Sequence, residues 1–236
     1  MAITEREKEI LSTVISEYVN SARPVSSQSL EKKYDFGICP ASIRIEMQKL
    51  TDAGFLFQPH TSAGRVPTDK GYRFFVNSLL EKDGFAKEDD SAVKEWVGAE
   101  VRDTIRFIQS VTKNLAAFSS SLALGYSYDE EILWKDGWED LLKAPEFREE
   151  RIVFNFASLL KSFEEDIKEF KADSGVKIFI GRENPFPKSG DFSTIVSRCH
   201  FPSRKEGILA ILGPKRMTYE KNINSLNSLA RLLEKF

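Results

Sequence analysis

The chain has 236 residues, is 41% hydrophobic and 30% charged, and carries a net charge of −2. That length supports one or two domains with a sizeable core; no apolar run is long enough to span a membrane, and no signal peptide opens the chain. The near-neutral total excludes a uniformly basic nucleic-acid coat but hides an uneven spread: residues 1–80 hold 10 Lys/Arg against 9 Asp/Glu, residues 81–150 hold 9 against 17, and residues 151–236 hold 15 against 10. The acidic middle repels DNA, which confines any DNA contact to the first block.

In chain order, Thr4 followed three positions later by Glu7 is a capping box, and Ile10, Leu11, Val14, Ile15, Tyr18 and Val19 repeat at helical spacing to about Asn20. After the break at Ala22-Arg23-Pro24, Ser26 or Ser27 can cap a second helix that ends near Tyr34, with Leu30 inward. Asp35-Phe36-Gly37 is a turn, and Pro40 suits the first turn of a third helix. On that helix Ile43, Met47 and Leu50 share one face, while Ala41, Arg44, Ile45 and Gln48 cluster on the other. The outward set reads as a base-reading surface. Arg44 can fork onto a guanine edge, Gln48 can pair with adenine and Ile45 can touch a thymine methyl. Ser26, Ser27, Ser42 and Lys49 are candidate phosphate contacts.

Gly54 ends the third helix, Phe55–Phe57 reads as a short strand, and Pro59, Gly64 and Pro67 enforce a loop. His60, Thr61, Ser62 and Arg65 make this loop rich in donors, and it carries no carboxylate, which suits a phosphate backbone or a narrow minor groove. Taken alone it would be an ordinary polar turn; behind three helices it has the place of a DNA-binding wing. Thr68 or Asp69 caps a fourth helix, with Lys70 and Arg73 near its start as further DNA contacts and Tyr72, Phe74 and Phe75 as core aromatics. His60 reads as a hydrogen-bonding group and not as a metal ligand.

Lys82–Asp90 reads as a linker. From Ala92, the positions Val93, Trp96, Val97, Val101, Ile105, Ile108, Val111, Leu115 and Phe118 predict one long amphipathic helix to about Ser120. Its stripe is expected to contribute to a dimer, the alternative being packing on the chain's own second domain. Arg148–Lys171 predicts another helix, burying Ile152, Val153, Phe156, Leu159, Leu160, Phe163 and Ile167. Strand-like runs at Val176–Ile180, Ser193–Cys199 and Gly207–Leu212 precede a final helix at about Thr218–Lys235. The predicted fold is therefore mainly α with an α+β C-terminal part: a winged helix-turn-helix domain (1–81), a linker (82–90) and a small-sheet dimerisation or regulatory domain (91–236). Cys39 and Cys199 lack metal-ligand or redox spacing and imply a reduced, cytoplasmic protein. No Walker loop, GxSxG or HExxH occurs, so neither catalysis nor a cofactor or metal is expected.

The stretches ARPVSSQSL (22–30), CPASIRIEMQKL (39–50) and QPHTSAGRVPTDKGYRFFV (58–76) resemble the HrcA family of heat-inducible transcription repressors. The resemblance returns in LLKAPEF (141–147), IGRENPF (180–186) and GPKRMTYEKNI (213–223). It implies a homodimeric repressor that binds an inverted-repeat operator in double-stranded DNA upstream of chaperone genes, with a chaperonin as a further partner. It also places Arg44 and the loop from His60 to Arg65 on the family's recognition helix and wing. Ile45 stands where the family usually has Asn, and Cys39 where it commonly has Ser. The stretch from about Leu122 to Trp134 stands in place of a much longer region that holds much of a GAF-like domain, so the second domain is expected to be a reduced remnant. The alternative reading is a winged-helix interaction protein that serves a chaperone or other protein partner without an operator. A third, a ligand-sensing regulator, has no pocket signature in the sequence.

Overall fold

The structure is a computed structural model that describes residues 3–81, 91–98, 103–168 and 175–234. The chain divides into two compact units, Met1–Lys82 and Asp83–Phe236. The expected linker, 82–90, lies outside the described residues, as does Val101.

In the first unit, α1 (Glu5–Ser21) starts at the Thr4–Glu7 capping box: the Glu7 amide donates to the Thr4 hydroxyl and the Thr4 amide to the Glu7 carboxylate. It ends where Ala22 turns left-handed and donates to the Tyr18 carbonyl. α2 (Ser27–Lys33) is capped by Ser26 through a reciprocal pair with Ser29, and α3 (Pro40–Asp52) opens on its proline. β1 (Leu56–Phe57) and β2 (Val66–Pro67) form an antiparallel hairpin, and α4 (Asp69–Glu81) follows, with the Thr68 hydroxyl accepting from Gly71. Ile10, Leu11, Val14, Ile15, Leu30, Ile43, Met47, Leu50, Tyr72 and Val76 are buried together as one small core. Glu17 ties α1 to the end of α2, accepting from Lys33 (2.5 Å) and from the Tyr34 hydroxyl (2.7 Å).

The second unit departs from the expected single long helix. α5 (Ser91–Gly98) and α6 (Thr104–Ser119) are separate, and α6 starts afresh at Asp103, whose carboxylate caps the Ile105 and Arg106 amides. The break resets the helical phase. Ile105, expected inward, is exposed, and Phe107 takes a buried place. The stripe does not wait for a second copy of the chain: α6 packs on the chain's own sheet, and α5 packs on α6 and on the last helix.

The remaining elements are β3 (Leu122–Ser127), β4 (Ile132–Asp136), α7 (Trp138–Lys143), a 3-10 turn at Pro145–Arg148, α8 (Glu150–Asp166), β5 (Val176–Ile180), β6 (Phe192–Phe201), β7 (Lys205–Pro214) and α9 (Tyr219–Leu233). The sheet has the order β4-β3-β7-β6-β5, antiparallel throughout. The short segment 122–134 supplies β3 and the start of β4 to this five-stranded sheet, with β3 seated between β4 and β7. Alternation along the strands loads both faces. Leu122, Leu124, Tyr126, Phe192, Val196, Ile208, Ala210 and Leu212 meet Phe156, Leu159, Leu160 and Phe163 of α8, while α6 and α9 cover the other face. Val153, expected inward on α8, is 40% exposed.

Gly125 of β3 lies under α6. A Cβ there would come within 2.5 Å of the Thr112 hydroxyl and 2.8 Å of an Ile108 methyl. Gly125→Ala is expected to destabilise the second unit by about 1–3 kcal/mol through overpacking. Trp96, Trp134 and Trp138 all lie in that unit, so urea unfolding followed by tryptophan fluorescence reads it directly. Hydrogen bonds from Lys33 and then Tyr34 hold the Glu17 carboxyl below its ordinary range. Its stabilising contribution is complete above the unfolded value of about 4.3 and is lost as pH falls through the lower folded one. Glu17→Gln should lower the melting temperature at neutral pH and flatten the acid limb of thermal melts followed by far-UV circular dichroism.

Candidate nucleic-acid interface

The outward face of α3 and the β1–β2 loop converge beside α2. The N-terminus of α2 (Ser26, Ser27, Gln28), Arg44 and Met47 of α3, and Thr61 to Arg65 of the loop enclose a groove of about 330 Å³. Ser26, Ser27, Arg44, Thr61, Ser62 and Arg65, all singled out from the sequence, therefore share one concavity. Arg44, Thr61 and Ser62 are exposed along it, and His60 is exposed at the loop tip.

The loop owes its shape to contacts that sequence patterning does not reveal. Gln58 donates from Nε2 to the Thr61 and Ala63 carbonyls, both at 2.9 Å, and so braces the tip from inside. Arg65 and Val25 exchange backbone hydrogen bonds (2.7 and 2.9 Å) as an isolated bridge, which fastens the loop to the segment leading into α2. Gly64 is required by that closeness, because a Cβ there would lie 2.3 Å from the Val25 carbonyl oxygen. Gln28 and Gln58 were absent from the sequence-predicted set, and Gly64 was read from the sequence only as a loop breaker. A glutamine reaching loop carbonyls three and five residues on follows no periodicity.

Arg65 is the main correction. Expected as a displayed phosphate donor, it is only 9% exposed. Its Nε donates to the Thr51 hydroxyl (3.0 Å) and its Nη2 to the Gln48 side-chain oxygen (2.8 Å), so the guanidinium struts the loop against α3. Gln48 is correspondingly engaged at both ends, since its Nε2 donates to Asp52 (2.7 Å). These two bonds fix the orientation of the amide, leaving one N–H and one oxygen lone pair.

Elsewhere on α3, Ile45 projects into solvent at 57% exposure. Lys49 is paired with Glu46 at 3.1 Å. Ser42 sits 3.4 Å from the Cys39 sulfur. Cys39 occupies the N-cap without a side-chain capping bond, and the Ser42 hydroxyl, followed by the Ser42 backbone N–H, lowers its thiol pKa from the ordinary value. Lys70 is turned to the far end of α3, where it donates to the Ala53 carbonyl (2.7 Å) and lies over the Phe55 ring (4.3 Å). It therefore closes a helix C-terminus and does not face the groove, which Arg73 also does not line. No group of three metal-ligating side chains occurs among the described residues, and no helix among them is long and apolar enough to cross a membrane.

Comparison with known proteins decides the lineage. The family model described as the HrcA protein C terminal domain matches residues 72–223. The chain belongs to the HrcA family. HrcA relatives agree over nearly the whole chain. The heat-inducible transcription repressor HrcA of Caldanaerobacter subterraneus subsp. tengcongensis is 29% identical over 334 aligned positions that cover 99% of this chain and 96% of that repressor. Because this chain has 236 residues, about a hundred of those positions have no counterpart in it. The HrcA repressor of Desulfitobacterium hafniense is 43% identical over 122 residues, covering 52% of this chain and 34% of its own. A crystal structure described as that of a hypothetical protein at 2.2 Å resolution shares the fold, with a TM-score of 0.86 at 19% identity over 99% of this chain and 98% of that one.

The strut yields a prediction that needs no ligand. Arg65→Ala is expected to destabilise the first unit by about 1–3 kcal/mol, because Thr51 and Gln48 lose their donor. With Gln48→Ala the losses should fall short of additivity by at least about 0.5 kcal/mol in a double-mutant cycle of thermal melts.

Proposed function

We propose that this HrcA-family chain is a transcriptional repressor whose first unit is a winged helix that reads double-stranded DNA. In this reading α3 is the recognition helix and the β1–β2 loop is the wing. Two copies act together on an inverted-repeat operator of chaperone genes, because a two-fold protein matches two half-sites. The observation that carries the proposal is the groove between the α2 N-terminus, Arg44 and the loop. Its exposed members are donors, and no carboxylate lines it. The relatives' names, heat-inducible transcription repressor, agree with this reading.

The geometry redistributes the roles. Arg44 is the exposed cation of the groove and the base-reading candidate, with Ile45 offering an apolar touch beside it. Ser26, Ser27, Thr61, Ser62 and His60 follow the sugar–phosphate backbone. Arg65 and Gln48 set the angle between wing and helix without touching DNA themselves.

Fluorescence anisotropy with an inverted-repeat duplex and a scrambled duplex across a salt series tests this. Arg44→Ala is expected to cost about 1–3 kcal/mol on the operator and to narrow the gap to scrambled DNA. Arg65→Ala should reduce discrimination while leaving the salt slope within error of the parent's, since no phosphate contact is lost. A slope lower by about one would return Arg65 to the phosphate-binding set. Equal binding of both duplexes by the unmodified protein would remove the operator from the proposal.

A further inference from the structure

Outside the groove, the most informative uncovered surface is the outer side of α8. This helix buries Ile152, Phe156, Leu159, Leu160 and Phe163 against the sheet and turns Phe154 outward at 63% exposure, flanked by Val153 at 40%. At 100° per residue, Glu150, Phe154, Ala157 and Lys161 fall on one line along the outermost surface, and all four are exposed. Read along the helix, the line is acid, aromatic, methyl, base.

That order is complementary to its own reverse. Two copies of α8 laid antiparallel, with the two-fold axis midway between Phe154 and Ala157, set each Phe154 ring over Ala157 of the other copy. The methyl side chain leaves room for the ring. The same operation sets each Glu150 against Lys161 of the other copy, twice by symmetry. Two nearby registers lose the paired charges. An axis through Phe154 itself sets Lys161 opposite the level of buried Phe147. An axis midway between Ala157 and Ser158 sets Phe154 against Lys161, and Glu150 against Glu165. Lys161 is available for the exchange, since its contact with Glu165 is 3.7 Å long between side chains 78% and 62% exposed, and such surface pairs hold weakly.

We infer that the outer face of α8 is the contact between two copies of this chain, anchored by Phe154 and put in register by Glu150 and Lys161. The inference rests on the dimeric reading above and supplies the surface that α6, committed to its own sheet, does not. An interface of one helix from each copy is at the small end of stable contacts. The dimer is therefore weak in free solution and strengthens when two half-sites hold the copies close.

Sedimentation velocity over a concentration series at low salt, with and without inverted-repeat duplex, tests it. The parent protein should show a reversible dimer. Phe154→Glu should be monomeric in free solution with an unchanged tryptophan-monitored melt. Glu150→Lys and Lys161→Glu should each weaken the dimer by about ten-fold or more, because each places two like-charge contacts in the interface. The double reversal should return it to within about three-fold of the parent, a rescue that loss of folding cannot imitate. A dimer left intact by Phe154→Glu and by both single reversals overturns this surface and leaves the dimeric reading standing. A parent protein that is monomeric throughout, with one copy on each inverted repeat, overturns both.

Discussion

The first unit depends on how closely the β1–β2 loop approaches the segment before α2. Gly64 permits the approach, Val25 and Arg65 exchange backbone hydrogen bonds across it, and the Arg65 side chain then spans to Thr51 and Gln48 on α3. One residue thus joins three pieces of chain that are far apart in sequence. A guanidinium suits the task because its fixed fork supplies several donors at once, and its burial limits competition from water. The groove lies between these pieces, and Gln58 holds the loop tip through the Thr61 and Ala63 carbonyls.

The second unit is organised by a simpler rule. Strand alternation delivers one apolar set to α8 and another to α6 and α9, so the sheet is covered on both faces by the chain itself. A helix that lies flat on such a sheet buries about half its circumference. What it carries on the other half is not dictated by the core. On α8 that half carries exposed Phe154 and Val153 among charged side chains.

Much of the fold was legible in the sequence because the governing interactions were local. The Thr4–Glu7 box, Pro40 at the start of α3, the inward Ile43, Met47 and Leu50, and three of the strands in the large sheet follow from spacing and capping chemistry. The failures share a cause. A hydrophobic repeat running from Val93 to Phe118 cannot announce that Asp103 restarts the helix, because three- and four-residue steps tolerate a change of phase. β3 and β4 were missed because every position of LALGYS is buried, so no alternation marks it, and the edge strand ILWKD, half-buried along most of its length, shows none either. At the candidate interface the exposed residues were found by type, but burial inverted the role of Arg65: an arginine in a polar loop reads as displayed, and only its distances to Gln48 and Thr51 reveal a strut.

The two cysteines differ in a way that reaches beyond folding. Cys199 is buried in β6, where desolvation pushes its thiol pKa up, whereas Cys39 is exposed at the head of α3 with its thiol pKa lowered. A maleimide dye should therefore find a single address on the unaltered chain, a few residues from Arg44. The protein carries its own attachment point for an optical reporter at the helix proposed to enter the groove of DNA.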